Sequence, residues 1–226
     1  MKYVSIDIET TGLDPARHQV LTIGAVVEDT KKVMPLDRLP SFHAMIIRSE
    51  VTGQITALNM NKDIIQLQQN YMNCANDMEK YELSVSRDTI FCSEDEVIIE
   101  FYKFLRTHLV PDAPAEAFFL NGKPSSNVPK IKFNAAGKNL VSFDLKFLEQ
   151  LPRWKQLLQV KQRIIDPAIL FTEWYSDDGL PNLSTCKVRA GLDPNVSHDA
   201  LGDAMDVVQL IRNYITNTYN VVWGAQ

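Results

Sequence analysis

Asp7 and Glu9 stand two residues apart in Tyr3-Val4-Ser5-Ile6-Asp7-Ile8-Glu9, a run of β-branched and aromatic residues that breaks at Thr10-Thr11-Gly12 and so reads as a strand. Side chains on a strand alternate faces, which aims both carboxylates the same way. Two such groups repel unless a cation lies between them, and hard oxygen ligands of this kind suit Mg²⁺ or Mn²⁺. Asp144, His198 and Asp203 follow in that order along the chain. Four carboxylates and one imidazole are the equipment for holding two divalent ions and taking a proton from water, which is the chemistry of phosphodiester hydrolysis.

Taken singly, each motif also has an ordinary reading. A D-x-E triplet arises by chance about once in a chain of this length, and Asp77-Met78-Glu79 is such a copy, in a polar, helix-favouring stretch that reads as a solvated face. The stretch from Ile131 to Leu148 reads as a strand, a turn at Gly137 and an amphipathic helix with Val141, Leu145 and Leu148 on one side. Asp144 then lies in the first turns of that helix, where any carboxylate gains about 0.3–1 kcal/mol from the helix dipole. Ser197 to Ile211 reads as a helix whose start is marked by Pro194, Asn195 and Ser197, with Ala200, Ala204, Val207, Val208 and Ile211 as its buried stripe. Asp203 falls beside that stripe, where an unpaired carboxylate is costly. His198 stands at the entrance, a place where a lone histidine is ordinarily a cap or a surface residue.

Together the motifs carry a resemblance. Asp-x-Glu-Thr-Thr-Gly-Leu at 7–13, Gly-Lys-Asn-x3-Phe-Asp at 137–144 and His-x4-Asp at 198–203 are similar to the three exonuclease motifs of the DnaQ-like (DEDDh) 3′→5′ exonucleases, in family order and spanning nearly the whole chain. That family lies in the RNase H-like superfamily and includes proofreading subunits, RNase T and oligoribonuclease. The resemblance implies two Mg²⁺ or Mn²⁺ ions, one held by Asp7, Glu9 and Asp203 beside the attacking water, the other by Asp7 and Asp144 near the leaving oxygen. It makes His198 the general base. Thr10, Thr11 and Leu13 match the stretch that packs on the terminal nucleoside, and Gly12, Asn139 and Phe143 complete the expected substrate-binding set. Asp166, in Arg163-Ile164-Ile165-Asp166-Pro167, matches a strand-end aspartate of relatives and reads as a helix-start residue rather than a ligand.

Composition bounds the rest. The 226 residues, 45% hydrophobic, are enough to bury a sizeable core in one domain of the larger kind. Cys74, Cys92 and Cys186 have no C-x-x-C spacing, which leaves zinc and thiol chemistry poorly supported, and their odd number points to a reducing compartment. No apolar run approaches a membrane span and no basic-then-apolar leader precedes the first strand, so the expectation is a soluble, cytoplasmic protein without membrane contact. The net charge of −5 is uneven: between Lys130 and Arg163 eight basic residues face two acids. Phosphate attraction for a single strand entering by its 3′ end is thus available locally.

The organisation expected is α/β: an RNase H-like mixed five-stranded sheet in which residues 3–9, 20–27 and 42–47 form an antiparallel three-strand meander, flanked by helices. Two further strands are expected at 130–136 and 163–166. The whole of 1–226 reads as a single exonuclease domain with a helical insertion at about 49–128, containing helices near Ile64–Met72 and from Glu94 to Leu109 and a Pro-rich boundary from Val110 to Pro129. The insertion is a candidate for shaping substrate access or a homodimer contact. Two functions compete: an exonuclease on single-stranded DNA or RNA releasing nucleoside monophosphates, and a catalytically silent nucleic-acid-binding or interaction subunit of the same fold. The presence of every motif residue favours the enzyme.

Overall fold

A computed structural model describes residues 1–110, 118–120, 123–125 and 127–223. Its centre is the meander. β1 (Lys2–Thr10), β2 (Val20–Asp29) and β3 (Ser41–Ile46) pair antiparallel in chain order. All but the last residue of β2 is buried, as a strand covered on both faces requires, and its sequence is accordingly almost continuously apolar. The helices α1 (Ile55–Met60), α2 (Lys62–Met72) and α3 (Asp77–Arg87) follow, and then β4 (Ile90–Cys92) adds to the edge of β3 in parallel. Asp77 and Glu79 are exposed in the first turn of α3, capped by Asn76, as a solvated face requires.

After α4 (Glu94–Leu109) come two short strands, β5 (Phe119–Leu120) and β6 (Lys123–Pro124), which pair with each other. The Pro-rich boundary expected from Val110 to Pro129 lies partly outside the described residues. β7 (Ile131–Phe133) and β8 (Ala135–Ala136) follow, then α5 (Asp144–Leu148), α6 (Trp154–Leu157), β9 (Leu158–Val160), α7 (Leu183–Arg189) and α8 (Ala200–Trp223). β8 joins β1 in parallel and completes a five-stranded sheet of order β4-β3-β2-β1-β8. The architecture is the expected RNase H-like mixed sheet, though one of its expected strands is nearly missing and another stretch of chain takes its place. The strand expected at 163–166 is reduced to one bridge, Ala136 to Ile165, because Asp166 and Pro167 open a 3₁₀ turn there. The edge strand β4 comes instead from the stretch read as insertion.

Alternation along β1 sorts the core into two layers. Val4, Ile6 and Ile8 face α4, α5 and α6 and pack in one large cluster with Phe101, Leu105, Leu148 and Trp154. Tyr3 faces the other way, onto Ala204, Val207, Val208 and Ile211 of α8. Asp7 and Glu9 share the parity of Tyr3, so they open on the α8 side. The helix can lie this close because the register neighbour of Asp7 on β2 is Gly24: a Cβ there would stand 2.1 Å from the carbonyl carbon of Ala200. Every residue of the stripe expected on this helix, Ala200, Ala204, Val207, Val208 and Ile211, is buried.

Candidate active site

The start of α8 over Gly24 carries Asp203 down onto the face bearing Asp7 and Glu9. One carboxylate oxygen from each of these three residues falls within 4.8 Å of the others. Asp144 opens α5 and is only 3% exposed; its Oδ1 accepts the backbone N–H of Ile8 at 3.1 Å. It stands outside the three-residue cluster yet close enough for its charge to act on Asp7. α5 is shorter than the sequence suggests, so Val141 precedes the helix in a run of turns and is exposed rather than part of its apolar face.

Electrostatics show what the arrangement costs. Burial, followed by the charges of Asp144, Asp203, Glu9 and Asp199, holds Asp7 well above the usual carboxylate range. Burial and then Asp203 and Asp199 push Glu9 up to about 8. Burial lifts Asp144 to about 7 against the opposing backbone hydrogen bonds, that from Ile8 among them. Asp203 is raised by burial and by Asp206, while His198 and the hydroxyl of Ser197 pull it back. Among the described residues no lysine or arginine is a leading influence on these four groups. The donor set therefore fits a hard divalent cation: clustered, half-buried carboxylate oxygens that press on one another.

His198 lies in the loop before α8, exposed, with φ +49. Left-handed backbone is several-fold enriched in His among non-glycine residues and remains uncommon. The helix starts two residues later than His198, with Asp199 as its cap: Asp199 Oδ2 accepts the Gly202 N–H at 2.9 Å.

The expected substrate-binding residues fall in two places. Thr10 Oγ1 donates to the Gly12 carbonyl at 2.8 Å and Thr11 Oγ1 accepts from Gln19 N at 2.9 Å. Both hydroxyls thus hold the turn after β1, and Leu13 projects from it 71% exposed. Asn139, at φ +58, is exposed and its N–H is held at 2.9 Å by Asp166, which also caps the 3₁₀ turn through Ala168 N. Phe143 is half-buried against Phe147, with ring centroids 5.1 Å apart. Of the eight basic residues between 130 and 163, six are exposed and Lys138 and Arg153 partly so.

Two residues near the carboxylates were not expected from the sequence. Asn61, buried between α1 and α2, donates to the Thr10 carbonyl at 3.0 Å and also hydrogen-bonds Glu9. Asp199 acts on Asp7, Glu9 and Asp203 and lies 3.6 Å from His43 Nε2. Asp199 was legible in principle as an Asp immediately before a helix; Asn61 carried no signal. Beside the site runs a cleft of about 540 Å³. Register sets Glu9 opposite Thr22 and Thr22 opposite Met45, so a single row of side chains leads from the carboxylates to the floor of this cleft, between α2 and the loop of His198.

No family model matches the sequence, and no curated protein matches it. Solved structures do. E. coli Exonuclease I in complex with a 5cy-dT13 oligonucleotide aligns with 99% of this chain at TM-score 0.51 and 16% identity. E. coli Exonuclease I in complex with a dA16 oligonucleotide aligns with 95% of it at the same TM-score and identity. The chain spans 41% of the length of either. At this identity the likeness is one of fold, an RNase H-like sheet shared with an exonuclease. No helix among the described residues is long and apolar enough to cross a membrane. The homodimer contact suggested for the insertion finds no support in these observations.

Proposed function

We propose that this chain is a single exonuclease domain of the DnaQ-like (DEDDh) kind, a metal-dependent 3′→5′ exonuclease that releases nucleoside monophosphates from single-stranded DNA or RNA. The observation that carries the reading is the convergence of Asp7, Glu9 and Asp203 oxygens within 4.8 Å, with Asp144 at their side and, among the described residues, no lysine or arginine as a leading influence on them. Asp7, Glu9 and Asp203 would hold one Mg²⁺ or Mn²⁺, and Asp7 with Asp144 a second. Bound there, such ions lower the pKa of a coordinated water and neutralise charge on the phosphate.

The protein's own groups do the rest. His198, exposed in its loop, accepts the proton of the attacking water on a ring nitrogen. The new bond joins the water oxygen to phosphorus, and the 3′-oxygen of the preceding nucleotide departs and is protonated. Leu13, thrust out by the tied hydroxyls of Thr10 and Thr11, supplies an apolar contact for the terminal nucleoside with Gly12. Asn139 and Phe143 line the approach on the Asp144 side. The exposed basic residues between 130 and 163 sit in the segment that delivers Asp144 and attract the strand. A cleft of about 540 Å³ is of the size that accommodates ligands. Three free cysteines accord with a cytoplasmic setting.

The competing reading, a silent binding subunit, retains the fold but has no use for four carboxylates crowded at such electrostatic cost. Digestion of 5′-labelled DNA and RNA strands, short and long, with Mg²⁺ or Mn²⁺ separates the two. A ladder shortening from the 3′ end with mononucleotide product is expected; intact strands that remain bound would establish the silent subunit.

A further inference from the structure

Lys187 sits on α7 and is 6% exposed, a burial that lysine tolerates only when its ammonium is paired. Its Nζ lies 2.6 Å from Asp206 Oδ2 and 2.5 Å from the backbone carbonyl of Asn195. These two acceptors belong to different parts of the site. Asp206 is on α8 one turn beyond Asp203, and Asn195 is in the loop that presents His198. A single ammonium therefore fastens the histidine loop to the helix that carries the third clustered carboxylate.

That fastening matters because His198 has little else to orient it. Its ring is exposed and makes no hydrogen bond among the described residues, so its direction follows from its backbone, which stands at φ +49. The backbone is held on both sides. Lys187 fixes Asn195, whose N–H is also taken by Asp193 at 3.1 Å. On the near side, Ser197 Oγ donates to Asp203 Oδ1 at 3.3 Å and Asp199 caps α8.

We propose that Lys187 is a positioning residue for His198, a buried clamp that holds the loop from which the imidazole meets water at the carboxylates. The proposal rests on the functional reading above. It acts through His198 and predicts that its loss is felt only where His198 is present.

The test is a cycle with His198→Ala. Lys187→Met alone strands Asp206 unpaired beside Asp203, so the principal variant is Lys187→Met/Asp206→Leu, which exchanges the buried pair for apolar side chains, a replacement that folded proteins often tolerate. Single-turnover kcat and KM on a labelled strand, together with the Mn²⁺-induced rise in melting temperature, are measured for wild type, the double variant, His198→Ala and the triple variant. The expected result is a fall in kcat of about ten- to a hundredfold in the double variant, with KM and the Mn²⁺ response kept, and no further fall when it is added to His198→Ala. An unchanged kcat, or an equal fall in both backgrounds, overturns the clamp. Should the double variant not fold, Lys187→Met is carried through the same cycle with the same criteria. If His198→Ala itself turns over like wild type, the functional reading fails at its base, and the clamp with it.

Discussion

Asp144 Oδ1 accepts the N–H of Ile8 at 3.1 Å across 136 residues of chain, which fastens the carboxylate of α5 to the very strand segment lying between Asp7 and Glu9. β8 pairs with β1 only at Val4 and Ser5, so past that point the edge of β1 is satisfied by a carboxylate instead of a strand. Asp144 thereby has a structural part as well as a chemical one, and substitutions separate the two. Asp144→Asn keeps an acceptor for Ile8 and loses the charge; activity should be lost, while metal-free stability is kept at low pH and raised above about pH 7, where the native carboxyl would ionise. Asp144→Ala removes the acceptor too and should cost a further ~1 kcal/mol. Denaturant unfolding in EDTA beside a nuclease assay checks this, and a fully active Asp144→Asn would remove Asp144 from the metal site.

Asp7→Ala, Glu9→Ala and Asp203→Ala should each lower kcat by about a thousandfold or more, and pairs of them should cost little beyond the worst single change, because groups acting as one unit are non-additive. Kinetics of the three single and three double variants with Mg²⁺ decide it. Losses that multiply would mean that the three carboxylates act at separate places.

How much of this was readable in advance depends on the distance over which each contact acts. Asp7 and Glu9 were legible because strand alternation alone places them on one face, and Asp203 because a buried stripe of small residues placed it beside the sheet. The strand at 163–166 was misread: Ile164 and Ile165 have the composition of a strand, but Asp166 and Pro167 end the ladder after a single bridge. β4 was hidden inside a stretch that looked helical because three residues are too few for any period to show. Asn61 reaches Thr10 across 51 residues and Lys187 reaches Asp206 through a fold-level contact between two helices. Neither has a local pattern, since only the packing of α1, α2, α7 and α8 brings the partners together.

His198→Ala should lower kcat more than it raises KM, because a proton is taken from water in the transition state and not in the bound ground state. Single-turnover rates across strand concentrations, with metal saturating, provide the measurement. A rise in KM that exceeds the fall in kcat would assign the base elsewhere.

Metal-free stability should decline as pH rises. Burial, with the charge of Asp203, takes Glu9 from 4.5 to about 8, and burial takes Asp144 from 3.8 to about 7. A carboxyl with a higher pKa folded than unfolded binds its proton more tightly in the folded state. Its contribution is therefore whole below the ordinary carboxylate range and is lost as pH climbs through the folded value. The loss should run from about pH 4 to about pH 8 and amount to a few kcal/mol in order of magnitude. Melting temperatures in EDTA across that window test it, and a protein that grows steadily more stable toward pH 8 would contradict the crowding of these groups.

The same crowding predicts an inverted effect for neutralising one ligand. Asp203→Asn removes a charge that raises both Asp7 and Glu9, so in EDTA at pH 8 the variant should melt above wild type. Divalent ions that bind only the folded site stabilise by about 2.7 kcal/mol at a concentration a hundredfold above the dissociation constant. Wild type should gain that increment with Mn²⁺, while Asp203→Asn, with one of three converging oxygens replaced by an amide, should gain little and be inactive. The order of the two melting curves should thus reverse on adding metal. Equal shifts in both proteins would show that Asp203 does not share a cation with Asp7 and Glu9, and the proposed function would lose the observation on which it stands.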